Sequence, residues 1–560
     1  MSTLLKIKQN ITEQLRKSAL SARQEGEINF VSLPEFTLEV PREKTHGDFA
    51  TNLAMLLARE AKMAPRQIAE IIVKHFDPNG TWVKRVEVAG PGFINFTLSH
   101  EWLYQVLPEA IREDERYGNS NFGQGKKVQV EFVSANPTGL LHMGNARGAA
   151  LGDSIANLLQ ATGHEVTREF YVNDAGNQII NFGKSLEARY LQLLGRNVPF
   201  PDEGYHGEDL IETVKRFISR YGDRYLDADS EERQQKLIEF ALEEKLNHIR
   251  EVLEDFGVYY DVWFHEQTLH ESGAIREVIE ELRQKGYIYE SEGALWFKST
   301  EFGDEKDEVV VRSNGIPTYF AADIAYHKNK FERGFDRVIN IWGADHHGHV
   351  ARLKGAVAAL GYDPARLDII LMQLVRLFKD GEVLRMSKRT GQYVTLGELI
   401  EEVGKDAARY FFVMRGADSH LDFDLDLAKA ESNENPVYYV QYAHARICSI
   451  LRQGKELGYE LPVVEDTNLE LLQDPAELEL IRKIADLPDV VAEAAQALEP
   501  HRLTRYAHDL ASLFHSFYNH CRVLVEDEEL RKARMILVDA TRITLRNVLQ
   551  LLGVTAPERM

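Results

Sequence analysis

Between the apolar run VQVEFV and the helix-like run ARGAALGDSIANLLQATG lies NPTGLLHMGN, Asn136 to Asn145. A proline, two glycines, a histidine and two asparagines are gathered there in a turn with little to pack. A helix N-terminus presents unpaired backbone N–H groups and the positive end of the helix dipole, which suits a bound phosphate. His142 and Asn145 would add side-chain donors, and Gly144 would let the backbone approach closely. The plainer alternative is an ordinary strand-to-helix turn with a solvated histidine. A second constellation, LRMSKRTG from Leu384 to Gly391, follows LFKDGEV. Asp380-Gly381 is a hairpin signal, so Arg385 to Arg389 should lie just past a hairpin strand. Arg385, Lys388 and Arg389 in a glycine-flanked loop suit closure over a polyphosphate whose leaving group needs neutralising. The plainer alternative is a solvated basic loop.

Two further stretches invite chemistry and are set aside. GADHHGH, Gly343 to His349, offers Asp345, His346, His347 and His349 as metal ligands. Adjacent histidines point in different directions on a strand or helix, and no cysteine or distant carboxylate pattern joins them, so no bound metal is expected. NFGKS, Asn181 to Ser185, contains Gly-Lys-Ser, but Gln178 stands where the first glycine of a P-loop belongs. A helical surface is expected there.

The elements that must position these residues alternate from Val128 onward. VQVEFV is a strand, Ala146 to Ala161 a helix with Gly163 as its stop, and HEVTREFYV the next strand. That is the βαβ pattern of a parallel sheet covered by helices. Residues 182 to about 290 are helical and charged, as an insertion would be; EVVVRS, RVINIWG and LDIILMQLVRLF then resume the strands. From about residue 430 every segment has helical spacing. Residues 1 to about 115 mix helices and short strands ahead of the glycine-rich linker GNSNFGQGKK, Gly118 to Lys127. NPTGLLHMGN and GADHHGH each directly follow a strand. They should therefore share the rim where an open α/β sheet binds ligands, although about 200 residues separate them.

At 560 residues the chain is too long for one core. Its net charge of −22 argues against a nonspecific nucleic-acid coat, which would be basic, but leaves room for a local basic groove. No run approaches the ~20 apolar residues of a membrane helix, so no membrane partner is expected. The N-terminus places Leu4, Ile7, Ile11 and Leu15 like an amphipathic helix rather than a signal peptide. With two cysteines, Cys448 and Cys521, a reducing cytoplasm is the expected home.

A strand, an HxGx turn, a helix and a much later xMSKx loop resemble the two signatures of class I aminoacyl-tRNA synthetases. The first signature usually ends in histidine and the second begins with lysine; Asn145 and Arg385 stand there in this chain. HGDFATNLAM, GPGFINF, VEFVSANPTG, REFYVNDAGNQ, TYFAADIAYH, YYVQYAHARICSILR and the terminal LLGVTAPERM narrow the resemblance, end to end, to the arginyl-tRNA synthetase family. It implies a multidomain α/β protein. An α+β N-terminal tRNA-recognition domain would span 1–117, and a Rossmann-type catalytic domain 118–370 with a helical insertion at about 182–290. A signature-loop and stem-contact region would follow at 371–430, and an all-helical anticodon-binding domain at 431–560. The implied substrates are L-arginine, tRNA(Arg) and ATP with Mg2+, and the implied state is a monomer without a structural metal.

The resemblance places His142, Asn145 and Lys388 at the reacting phosphates, and Gly144, Gly343, Asp345, His346, Met386 and Ser387 with them around ATP. Some relatives lack the lysine of the second signature and carry one upstream of the first; here Gly139 holds that upstream position and Lys388 is present. Arginine's guanidinium would meet Glu266, Tyr319 and Asp323, and its α-amino end Glu131, Ser134 and Asn136. A planar fork of five donors demands carboxylates; the plainer alternative is a partly buried aspartate capping a helix for Asp323 and a surface glutamate for Glu266, which taken alone reads as the latter. Tyr438 and Tyr442, four apart on one helix face, would with Arg446 reach the anticodon, base stacking being how single-stranded RNA is read. Burial in a bundle core is their plainer role. Related enzymes need tRNA bound before they activate arginine, and the same is expected here. A sister synthetase for glutamate or lysine would share the signatures but lack the carboxylate pair. A silent tRNA-binding paralogue would lose His142 or Lys388.

Overall fold

The computed structural model describes residues 2–41, 43–384 and 394–560. Five parallel strands form the central sheet: β1 (Lys127–Glu131), β2 (Glu165–Val172), β3 (Val262–His265), β4 (Arg337–Gly343) and β5 (Leu367–Met372). Their order is β5-β4-β1-β2-β3, so the chain runs outward from β1 to one edge and returns through β4 to the other. Such a sheet opens a crevice between β1 and β4, outside their C-terminal ends. Gln129, Val130 and Asn340, near the middle of these strands, are wholly buried, as a doubly covered parallel sheet requires.

The covering helices include α1 (Met143–Ala161), α2 (Gly176–Leu193), α3 (Tyr319–Glu332) and α4 (His347–Leu360). Beyond β5 lie α5 (Lys405–Val413), α6 (Pro436–Glu456), α7 (His501–His520) and α8 (Glu528–Leu551). α1 is buried almost all round because Ala146, Gly148, Ala149, Ala150 and Gly152 keep it thin. It is wedged between the sheet on one side and α5 with the helix Leu487–Ala497 on the other.

Four expectations change. The helix after β1 starts at Met143 rather than Ala146. VWFH, inside the stretch assigned to a helical insertion, is β3 of the main sheet, while Gly176–Leu193, Glu208–Tyr221 and Ser230–Asp255 are the helical part. EVVVRS does not resume the main sheet: Glu308–Val311 closes a separate antiparallel sheet with Ile288–Ser291 and Ala294–Phe297. LDIILMQLVRLF divides, its second half Val375–Lys379 pairing instead with Glu382–Leu384 and Leu421–Asp424. The Asp380-Gly381 turn is as expected, with φ of 53° and 76°, the left-handed pair of a tight hairpin.

The N-terminal region is the helix Thr3–Gln24 against a three-stranded antiparallel sheet. It docks on the C-terminal helices: Lys8 pairs with Asp489 at 2.5 Å, Asp48 with Arg482, and the Tyr117 hydroxyl donates to the Ile484 carbonyl at 2.9 Å. One hydrophobic core runs continuously through the N-terminal region, the sheet and the helical bundle.

Candidate active site

β1 ends in a strained turn. Val133 and Ser134 have φ of 68° and 41°, a region that β-branched residues rarely enter. The Ser134 N–H donates to the Phe132 carbonyl at 3.0 Å, closing the turn. Strain of this kind persists where surroundings over-determine it, characteristically at binding sites. The chain then reaches His142, which caps α1. Its Nδ1 accepts the Gly144 N–H at 3.1 Å, which places the proton of the neutral ring on Nε2. Asn145 completes a capping box, its Oδ1 accepting the His142 N–H at 3.0 Å. Asn145 thus has a structural task at the helix N-terminus, and its Oδ1 is committed to it.

The same turn touches the far end of the second signature. His142 forms an antiparallel bridge with Thr395, and the Leu396 N–H donates to the Leu141 carbonyl at 2.9 Å. Arg385, Met386, Ser387, Lys388 and Arg389 lie outside the described residues. The described residues on either side are the hairpin strand ending at Leu384 and Thr395, which is bridged to His142 at the N-terminus of α1. Across the crevice Gly343 ends β4, and Asp345 and His346 follow it exposed on the rim. Of the histidines of GADHHGH, His346 and His349 both lie beside the Trp342 ring, with centroids 5.9 and 5.7 Å from it, and His349 also bonds to Asp323. Among the described residues, the His, Asp and Glu side chains grouped closely enough to share an ion are Glu25, Glu27 and His75, where Lys74 already pairs with Glu27. NFGKS is helical, but of its residues Phe182, Gly183 and Ser185 are buried, so it is not a surface.

Four of the six residues expected around arginine, Glu131, Ser134, Glu266 and Asp323, gather at Tyr171, at the end of β2. Glu266, Asp323 and Glu131 all act electrostatically on its hydroxyl, which burial and these carboxylates push far above its ordinary value. Glu266 directly follows β3 and is only 3% exposed, so it is no surface residue. Burial raises its carboxyl above the usual 4.5, opposed by Tyr171 and His270, which partner it. Asp323, on the first turns of α3, accepts from His349 Nε2 at 2.8 Å. Tyr319 opens α3 and is 44% exposed at the mouth. At the other end the Ser134 hydroxyl donates to Glu131 at 3.0 Å and accepts the Tyr171 N–H at 3.1 Å. Asn136 accepts from Asn173 at 3.2 Å.

Sequence reasoning missed what stands behind these groups. Lys330, fully buried, donates to Glu131 at 2.6 Å and to Asn340 at 2.8 Å. Asn340 in turn donates to His327, whose other nitrogen donates to the Asp323 carbonyl at 2.8 Å. Burial and the Lys330 charge hold His327 neutral. A chain of buried hydrogen bonds therefore joins Glu131 to Asp323. Arg333 clamps the same helix to β2 through two bonds to Glu169, at 2.6 and 2.8 Å. Because Lys330 neutralises Glu131, that residue offers an amino group a lone pair rather than a net charge. The one signal in the sequence was the spacing of Tyr319, Asp323, His327 and Lys330, three or four apart along one helix stripe.

Far from this crevice, Tyr438 and Tyr442 lie parallel on α6, with ring centroids 6.0 Å apart at 9°. The Arg446 guanidinium sits 4.6 Å from the Tyr442 ring and donates to its hydroxyl at 2.7 Å. All three are half-buried.

Three family models match the chain. "Arginyl tRNA synthetase N terminal domain" matches residues 5–98, "tRNA synthetases class I (R), catalytic domain" matches 106–194 and 221–417, and "DALR anticodon binding domain" matches 440–560. An arginine–tRNA ligase of Moorella thermoacetica is 70% identical over 560 residues, covering 100% of both chains. One of Heliobacterium modesticaldum is 68% identical over 558 residues, covering 99% of each. The solved arginyl-tRNA synthetase of Thermus thermophilus superimposes with a TM-score of 0.74 at 24% identity, over 99% of this chain and 100% of that one, and so shares the fold. With catalytic domain, N-terminal domain and helical C-terminus all matched in order, the chain belongs to the arginyl-tRNA synthetase family of class I.

Proposed function

We propose that the crevice between β1 and β4 is where this arginine–tRNA ligase activates arginine. The reaction joins the arginine carboxylate to the α-phosphate of magnesium-bound ATP, releases pyrophosphate and forms arginyl-adenylate. A ribose hydroxyl at the 3′ end of tRNA(Arg) then takes the arginyl group. No covalent bond to the protein is required, so positioning and charge stabilisation carry the catalysis.

ATP lies along the rim, with His142, Gly144 and Asn145 on one side and Gly343, Asp345 and His346 on the other. Met386, Ser387 and Lys388 close on the phosphates from the second signature, Lys388 countering the charge that develops on the departing pyrophosphate. The neutral His142 donates from Nε2 to a phosphate oxygen. Arginine lies with its α-amino end at Glu131, Ser134 and Asn136, and its guanidinium between Glu266, Asp323 and Tyr319. The observation that carries this reading is that Glu131 at the end of β1, Ser134 in the turn after it, Glu266 just past β3 and Asp323 of α3 gather at Tyr171.

Tyr438, Tyr442 and Arg446 form the face offered to the anticodon, and residues 1–117 grip the body of the tRNA. The boundaries 1–117, 118–370, 371–430 and 431–560 describe the working parts. The reading is completed by a monomer in the cytoplasm, a reducing compartment that the unpaired Cys448 and Cys521 suit.

Asp323→Ala and Glu266→Ala, each shown to be folded, test the pocket. Removing a charged partner from a desolvated guanidinium costs ~2–4 kcal/mol, or ~30- to 1,000-fold in kcat/KM for arginine. Assayed with saturating ATP and tRNA, two variants with wild-type kcat/KM would place the guanidinium elsewhere.

A further inference from the structure

His349 belongs to neither group of residues assigned so far. It sits in the first turn of α4, three residues past His346, and is half-buried where Asp345 and His346 are exposed. Its Nε2–H donates to Asp323 Oδ2 at 2.8 Å, with side-chain exposures of 22% for the imidazole and 31% for the carboxylate. The ring does not hang loose. Its centroid is 5.5 Å from that of Phe320, edge to face, and 5.7 Å from that of Trp342.

Asp323 is the more exposed of the two guanidinium carboxylates, Glu266 being almost wholly buried. A carboxylate with that much freedom turns readily about its own side-chain bonds. A guanidinium is a rigid planar fork, so its bond to a carboxylate depends on the carboxylate's plane. An aromatic-wedged donor on Oδ2 sets that plane and leaves Oδ1 and the second Oδ2 lone pair for the ligand. The backbone of Asp323 is held as well, its carbonyl accepting from His327.

We infer that His349 is a positioning residue for arginine recognition: it fixes the Asp323 carboxylate in the plane that a guanidinium fork requires. The inference rests on the assignment of Asp323 to the guanidinium. It separates one residue of GADHHGH from its neighbours, because His349 serves the amino acid and not the nucleotide.

His349→Phe keeps a ring against Phe320 and Trp342 and removes the donor. His349→Gln restores an N–H at similar reach. Pyrophosphate exchange, with tRNA present, is measured against arginine and against ATP, and thermal melts confirm folding; should His349→Phe not fold, His349→Leu makes the same deletion with a smaller side chain. Losing a donor to a charged group is expected to raise the arginine KM about 10- to 30-fold. The ATP KM and kcat should stay within about threefold, and His349→Gln should return the arginine KM to within about threefold of wild type. An unchanged arginine KM in the Phe variant overturns the inference. So does an ATP KM that rises in step, or a Gln variant as impaired as Phe. Asp323→Ala, run alongside, separates the two claims. If it raises the arginine KM while His349→Phe does not, the pocket stands and the role of His349 falls. If it leaves the arginine KM at wild type, the pocket assignment falls and this inference with it.

Discussion

Asn145 shows how a residue's type reads differently once its neighbours are known. In the sequence it is the asparagine where the family's first signature usually has histidine. In the structure its Oδ1 takes the His142 N–H and completes the helix cap, so its contribution at the phosphate is limited to the remaining amide donors. Lys388 lies outside the described residues; its proposed role rests on the signature and on the bridge between His142 and Thr395 downstream of it. One transition-state charge contact is worth ~3–4 kcal/mol, or ~10²–10³ in rate. Lys388→Ala should lose that much in the rate of adenylate formation and far less in ATP binding, as separated by pyrophosphate exchange and equilibrium nucleotide binding. Near-normal exchange in the folded variant would end the assignment. At this scale the sequence shows residue types and local spacing, and the HMGN turn was legible from them. Tyr171, Lys330 and His349 were not, because each acts through a partner tens to hundreds of positions away: Lys330 meets Glu131 across 199 residues.

α1 carries His142 and must lie close against β1. Gly152 makes that approach possible: a Cβ there would fall inside the van der Waals envelope of the Phe132 ring, which is fully buried and cannot withdraw. Alanine ordinarily stabilises a helix interior by about 1 kcal/mol over glycine. Here overpacking should reverse the sign, and Gly152→Ala is expected to destabilise by ~1–3 kcal/mol. Lifting α1 should also displace His142 and lower kcat. Thermal melts and pyrophosphate exchange check both, and a raised Tm with full activity would show that the contact is slack. α3 is placed differently, by charge: Lys330 to Glu131 and Arg333 to Glu169 tie it to β1 and β2. Long periodic elements such as α1 and the C-terminal helices were legible because their burial repeats along the chain. β3 was not, since four residues between charged helices carry too short a pattern to separate from an insertion. EVVVRS reads as any buried strand would, and only pairing decides that it joins the small antiparallel sheet.

Arg409 marks where the parts of the molecule meet. Wholly buried on α5, it pairs with Asp153 of α1 at 2.5 Å and donates to the carbonyls of Leu552 at 3.0 Å and Phe256 at 3.1 Å. Gly553, with φ of 67°, lies against the guanidinium where any side chain would collide. Catalytic domain, helical insertion and C-terminal bundle are thus joined at one charge, and leaving such a charge unpaired costs several kcal/mol. The N-terminal region docks on the bundle through Asp48–Arg482 and Lys8–Asp489, so both regions read as tRNA-contacting belong to one body with the active site. Net charge of −22 did not forbid this, since tRNA contacts are local. With Glu266 and Asp323 as the proposed partners of the guanidinium, selection of arginine rests on two carboxylates. The most direct measurement is charging of tRNA(Arg) by the purified protein, with magnesium-bound ATP and each of the twenty amino acids in turn. Arginine should be charged, and lysine, which lacks the fork, should fall behind by ~10⁴-fold in kcat/KM. Charging of lysine or glutamate at a comparable kcat/KM, or none of arginine by folded protein, would contradict it.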